Sequence, residues 1–449
     1  MKRRPRAWAR HGLAAPLVAA THRSSIAAAP NGWSTLYRMI AVLGLVAAVA
    51  AAGLGRAAAQ ARPTGPGRGT VVSFGKVAHF SLKQAREYQR GSEGFPSPAA
   101  RYGVDIYWIV YRTISAQGRP DTASGVLALP ASSQRVLGVV DFEHGTMPAK
   151  ADAASVAPGD RHEVVLLAGA GYAAVEPDYL GLGLGPGHHP YLDPVSEATA
   201  SVDMLRAARV VAAREHRRLD STVLVTGFSQ GGQAAMATAR ALQHGAGGRL
   251  RLGAVAPISG PYDLLHAQLP AALDGALFPP ASGFYLGYWV TSMNRFHHLY
   301  THPGQAFRAP YDTTVPGLFN GYHTDNQVKN GLPASPQQLF TAAFLHQLAH
   351  PRGEMLRLLR ADGTTCTSWV PHVPVRLYAA HGDNQVAYLN SVHCQRALDA
   401  RGLHMFLFSR ARRGRSLEPL RLRASRARIR RSCSGSAANS SRCRVSGRD

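Results

Sequence analysis

Residues 221–243 read STVLVTGFSQGGQAAMATARALQ. The first eight, through Phe228, form an almost unbroken β-branched and apolar run, as in a strand buried on both faces of a parallel sheet. From Gln230 onward alanine, glutamine and methionine dominate, which favours helix. Between them stands Gly227-Phe228-Ser229-Gln230-Gly231, a G-x-S-x-G. Small residues on either side of the serine let the chain reverse in a tight, strained turn that lifts Oγ above the sheet edge. The pentapeptide alone is weak evidence. With a strand before it and a helix behind, it makes Ser229 a candidate nucleophile. The competing reading is a glycine-rich helix start capped by Ser229.

Outward from this turn, strand-like runs lie at 105–114, 123–130, 136–143, 172–179, 251–258, 373–380 and 403–408. Helical patterns separate them, most clearly at 195–216, 230–243 and 386–401, with Val202, Leu205, Val210 and Val211 expected on one face of the first. The alternation predicts a mostly parallel, doubly wound α/β sheet of eight strands, its core split between residues 62–261 and 363–408. Residues 262–362 break the rhythm: they lack a convincing buried strand and are rich in Phe, Tyr, His and Pro. They read as a mainly helical insertion, either a cap over the site or a surface elaboration.

The formal charge of +24 would suggest a nucleic-acid or anionic-membrane partner, but it is concentrated at the two ends. Residues 1–62 carry nine Lys or Arg and no acid, and residues 409–449 carry thirteen Arg against Glu418 and Asp449. The body between them is nearly balanced, and no nucleic-acid-binding motif is present, so no nucleic-acid function is read from the charge.

Met39–Leu54 is apolar, follows Arg38 and is followed by Ala59-Gln60-Ala61, a small-x-small pattern. The expectation is a signal peptide over about 38–61 within an N-terminal extension, 1–61, and a secreted or periplasmic protein. An uncleaved anchor is the alternative, although the run is short of the roughly 20 residues a spanning helix needs. Residues 1–37 are long for the leader of such a signal, which places the true start nearer the apolar run. In an oxidising compartment Cys366 and Cys394, flanking a predicted strand, either bridge or remain buried thiols; Cys433 and Cys443 are given no role.

A nucleophilic serine needs donors for the oxyanion it creates. One is the Gln230 backbone N–H, which the elbow turns inward. The other is expected after the third strand, where Glu143-His144-Gly145-Thr146 supplies an H-G-x turn and assigns the donor to the Thr146 N–H; a plain turn is the alternative. The acid partner should leave a later strand. VRLYAA at 375–380 empties into His381-Gly382-Asp383, making Asp383 the candidate acid, with a helix N-cap as the competing role. Gly181–Gly187 resembles a phosphate loop, but Pro186 and Pro190 block a helix start, so it is read as a surface loop near the site rim. His188-His189 and His297-His298 lack partners at metal-ligand spacing, and no metal or cofactor is expected.

Over residues 100–408 the chain resembles the secretory lipase family of α/β-hydrolases. The resemblance rests on E-H-G-T at 143–146, E-P-D-Y-L-G-L-G at 176–183, H-P-Y-L at 189–192, G-F-S-Q-G-G-Q at 227–233 and V-R-L-Y-A-A-H-G-D at 375–383. It implies an eight-stranded α/β-hydrolase sheet with a helical cap, ester substrates, no metal, Ser229 as nucleophile and Asp383 as acid. The expected partner is a small-molecule or lipid ester, with contact to a lipid interface, and the protein is expected to be a monomer.

One departure is decisive. Such enzymes carry the general-base histidine after the last strand, yet residues 409–449 contain none. Beyond Asp383 only His393 and His404 remain, the first in a predicted helix and the second ahead of the loop that should bear it. The Arg- and Ser-rich tail has no apolar period and resembles a coding sequence read in the wrong frame, placing a frameshift near 409. A basic tail for anionic surfaces is the alternative. Three functions stay open: an ester hydrolase nearly inert as written, a non-catalytic binding protein, and a peptidase on the same scaffold.

Overall fold

The structure, a computed structural model, describes residues 67–91, 100–156, 160–402, 406–410 and 418–419. The expected signal segment, His404 and most of the Arg-rich tail lie outside the described residues.

One ten-stranded sheet organises the chain, in the order β1-β2-β3-β5-β4-β6-β7-β8-β9-β10. Its strands are β1 (Val71–Phe80), β2 (Gly103–Ile114), β3 (Pro120–Ala131), β4 (Val136–Glu143), β5 (Ala173–Pro177), β6 (Arg218–Phe228), β7 (Arg251–Ile258), β8 (Arg376–Ala380), β9 (Phe406–Arg410) and β10 (Glu418–Pro419). The eight strands expected from sequence are β2 to β9. Along β5-β4-β6-β7-β8-β9 every pairing is parallel, whereas β1-β2, β2-β3, β3-β5 and β9-β10 are antiparallel. β1 escaped the sequence reading because it is an edge strand with no buried residue, so its apolar and polar positions do not segregate. β5 is shorter than expected because Tyr179 takes a left-handed φ of 65° just beyond it.

Helices cover both faces, which is why the central strands are apolar on both sides. On one face α1 (Leu82–Gly91) and α2 (His162–Gly169) bury Ala85, Val164, Val165 and Leu167 against the sheet. On the other, α3 (Pro194–Arg214) and α4 (Gln230–Gln243) bury Val202, Leu205, Val211 and Met236. Asp193 caps α3 by accepting the Val195 N–H, with Pro194 in the first turn. Val210 departs from expectation: it is exposed, because adjacent residues on a helix point about 100° apart and Val211 takes the inward position.

Between β7 and β8 the described residues form helices and turns with no strand. A π-helical turn (Leu264–Gln268) leads through α5 (Leu269–Leu273), α6 (Pro279–His297), α7 (Tyr311–Leu318), α8 (Asp325–Asn330), α9 (Pro336–Leu339) and α10 (Ala342–Ala349) to α11 (Gly353–Thr367). These helices have an aromatic core of their own: Tyr288 stacks on Phe319 at 4.7 Å and Phe307 on Phe340 at 5.4 Å. After β8, α12 (Leu389–Asp399) returns to the core, and Cys366 of α11 is bridged to Cys394 of α12. Of the two readings of these cysteines the bridge is the one realised. Closing a loop of 28 residues, it contributes about 3–4 kcal/mol on chain-entropy grounds.

Candidate active site

Ser229 sits between β6 and α4 with φ 58° and ψ −121°, and its side chain makes no capping hydrogen bond to α4. The strained turn is therefore present and the capping role is not. The glycines around it are steric necessities. A Cβ on Gly231 would lie 1.9 Å from the Glu143 carbonyl oxygen, and one on Gly227 would lie 2.2 Å from that of Gly231. α4 is thereby pressed against the end of β4, and the Ser229 N–H donates to the Ile258 carbonyl at 2.9 Å.

The loop leaving β4 passes beside the serine, since a Cβ on Gly145 would stand 3.8 Å from the Ser229 Cβ. Next along it, Thr146 hydrogen-bonds through Oγ1 to the Tyr191 phenol at 2.9 Å. Gln230 is the first residue of α4, so its backbone N–H has no acceptor within the helix. Its side-chain amide donates to Glu197 Oε1 at 2.7 Å and to His189 Nε2 at 2.8 Å. For Nε2 to accept, the imidazole proton must sit on Nδ1, which donates to the Leu180 carbonyl at 3.0 Å. Burial drives the His189 pKa down to about 3, keeping the ring neutral. Both candidate oxyanion residues are thus tied through their side chains to residues 189–197.

That segment is the main omission of the sequence reading. Gly181–Gly187 is on the surface at Leu184, Pro186 and Gly187, as expected, but Leu182 and Gly183 are buried, and Gly183 packs against the Asp178 carboxylate so closely that a Cβ would fall 2.1 Å from it. His189 and Tyr191 lie in the H-P-Y-L stretch that carries part of the resemblance, but neither they nor Glu197 signalled their roles, since their partners lie far away in sequence. The same is true beneath the loop, where buried Glu143 accepts from Thr238 at 2.7 Å and Ser201 at 2.9 Å. Burial outweighs those bonds and pushes its pKa up to about 7, while neighbouring Asp141, buried without a partner, is pushed well above the carboxylate range. His144 packs at a tilt against Tyr179, ring centroids 4.3 Å apart, and hydrogen-bonds the Gly145 carbonyl through Nδ1 at 2.7 Å.

Asp383 lies just beyond β8. Its Oδ1 accepts the N–H groups of Gln385 at 2.9 Å and Val386 at 3.0 Å, so the carboxylate caps its own turn; α12 begins only at Leu389. Oδ2 takes no part in either bond. Burial raises its pKa, opposed by the two amides and the Ser259 hydroxyl. Gln385 and Val386 line the same cleft as Ser229 and Gln230, which brings the Asp383 loop to Ser229. Tyr285, Leu286 and Trp289 of α6 roof this cleft, and the Tyr285 phenol bonds Gln385 Oε1 at 2.5 Å. The lining is overwhelmingly apolar, and only about 40 Å3 is left open, room for a few waters.

Among the described residues no histidine lines the cleft. His393, on α12, pairs with Asp263 at 2.8 Å and faces a different cavity; His381 is exposed and its ring packs at a tilt against Tyr388, centroids 3.9 Å apart. His404 lies outside the described residues. Among those described, no three or more His, Cys, Asp or Glu side chains are grouped to hold a metal.

No protein-family model matches the sequence, and no curated protein sequence matches it significantly. Solved structures do. A structure from Legionella pneumophila assigned to the hydrolases superposes with a TM-score of 0.70 at 25% identity, over 75% of this chain and 90% of that one. The rice cell wall degrading esterase LipA of Xanthomonas oryzae gives 0.70 at 28%, over 78% and 92%. Candida antarctica lipase A in its closed state shares the fold at 15% identity, with a TM-score of 0.56 and 76% of each chain covered. The chain has the α/β-hydrolase fold, and its structural neighbours are esterases and lipases.

Proposed function

We propose that the protein is an exported serine hydrolase that cleaves carboxylic esters through an acyl-enzyme on Ser229, and that the chain as written is nearly inert for want of a general base. One observation carries the reading: a serine at φ 58° on a strand-to-helix turn, opening with the first residue of α4 onto an apolar cleft. The fold shared with an esterase at 28% identity supports ester chemistry. In this mechanism Ser229 Oγ attacks the ester carbonyl as a histidine removes its proton, Asp383 orients that imidazole, and the N–H groups of Gln230 and Thr146 hold the oxyanion. Water then releases the acid and regenerates the serine. The apolar cleft under Tyr285, Leu286 and Trp289 favours an apolar acyl group, hence a lipase, with the helices of 262–362 acting as its cap.

A second reading, a hydrolase body retained for binding, is favoured by the histidine-free sequence after 408. Resequencing the coding DNA from about codon 400, with translation in all three frames, separates the two. A frame that continues β9 into a histidine-bearing loop supports the enzyme, and the corrected chain should then react with a fluorophosphonate in a manner abolished by Ser229→Ala. Labelling indifferent to Ser229→Ala overturns the nucleophile, and the absence of any such frame favours the binding protein.

A further inference from the structure

Away from the Ser229 cleft, α11, α12 and the residues after β7 enclose a second, half-open cavity of about 300 Å3. It is far roomier than the cleft, and the mechanism above does not use it. One wall is apolar, formed by Leu265, Leu359 and the Cys366–Cys394 bridge. The other carries Asp263, His266, His393 and Arg360, which with the buried phenol of Tyr262 are the titratable and charged groups facing the space. The arrangement is asymmetric. Asp263 is fully engaged, Oδ2 with His393 Nδ1 at 2.8 Å and Oδ1 with His266 Nδ1 at 3.2 Å. Arg360 is exposed and makes no hydrogen bond or ion pair among the described residues.

We propose that this cavity binds a carboxylate carried on an apolar body, with Arg360 and His393 holding the anion and Leu265, Leu359 and the bridge covering the body. A guanidinium presents paired N–H donors that match a carboxylate, and it pays no cost for leaving a partner it does not have. His393 adds a second donor. An imidazolium donates from both nitrogens, Nδ1 to Asp263 and Nε2, unbonded among the described residues, to the anion. A cation is disfavoured, because the one acid is already shared by two imidazoles beside a free guanidinium. Leu359 also lines the Ser229 cleft, so an occupant would press on a wall common to both spaces.

The test is calorimetric titration of the full chain with hexanoate, hexanamide and inorganic phosphate. Saturable one-site hexanoate binding is expected, weakened about tenfold or more by Arg360→Ala and comparably weak for hexanamide. Because the Arg360 side chain is exposed and unbonded, its removal should leave the fold intact. Hexanoate affinity unchanged by Arg360→Ala, or no saturable binding, overturns the site; phosphate binding as tightly as hexanoate overturns the apolar body. None of these ligands is an ester, so the result stands whether or not Ser229 turns over substrate.

Discussion

Ser229 and Asp383, the proposed nucleophile and acid, are held by opposite means. Ser229 stands at the end of β6, in the middle of the sheet, where β4 and β7 flank it in parallel register and backbone carbonyls crowd every neighbouring glycine. Asp383 stands past β8, which pairs with β7 only around Tyr378 and Val375, and is flanked by exposed His381, Gly382, Asn384 and Gln385. The first position is set by tertiary packing on all sides, the second by a local turn that the carboxylate itself caps. A site assembled this way keeps its nucleophile geometry when the edge of the sheet is altered. Under the proposed mechanism, such a site can lose its base without losing its fold.

The largest test of that contrast is catalytic. In a chain whose corrected end supplies the histidine, Ser229→Ala should lower kcat by about 10⁶ and Asp383→Ala by about 10⁴, because an acid that only orients the base leaves part of its function behind. In the chain as written, steady-state assays should show neither substitution changing the rate.

Next comes backbone crowding. Gly231→Ala would set a Cβ 1.9 Å from the Glu143 carbonyl and should cost about 3 kcal/mol or more in denaturant unfolding. Gly382→Ala meets nothing within 4 Å and should stay within about 0.5 kcal/mol. Equal costs would erase the distinction.

The third test is pH. His189 has a folded pKa of about 3, below the ordinary imidazole value, so its contribution to stability is complete above about pH 6.5 and is lost as the pH falls toward 3. Between pH 7 and pH 4.5 this amounts to at most about 2–3 kcal/mol, and His189→Gln should remove that dependence. Glu143, with a folded pKa of about 7, works in the opposite sense: its contribution is present below about pH 4.5 and fades as the pH rises through 7. Glu143→Gln should therefore flatten the neutral limb. Chemical denaturation at several pH values reads both.

The smallest effect belongs to Tyr191→Phe. It keeps the 4.2 Å stack on Tyr288 and deletes only the bond to Thr146, and should cost about 1 kcal/mol of stability by the same unfolding assay.

The sequence was most legible where a residue's role depends on its immediate neighbours. The elbow needed only a strand, small residues and a helix in succession, and the strand at 221–228 is found at 218–228. It was least legible where partners come from afar. Gln230 meets Glu197 and His189, 33 and 41 positions away, and Glu143 meets Thr238, 95 away. Edge strand β1 was missed for a related reason, since a strand with no buried residue has no period to read.

From its residues alone, then, this chain determined the eight-strand α/β order, the Ser229 turn, the Asp383 turn after β8 and the histidine-free run beyond 408, all features written in contiguous residues. Only the tertiary structure decided which buried side chains clamp Gln230 and Thr146, that Cys366 and Cys394 are joined, and that the cleft narrows under α6 while a wider cavity opens behind it. Such contacts pair residues far apart in the chain, and burial and hydrogen-bond geometry, which fix them, exist only once the layers have packed.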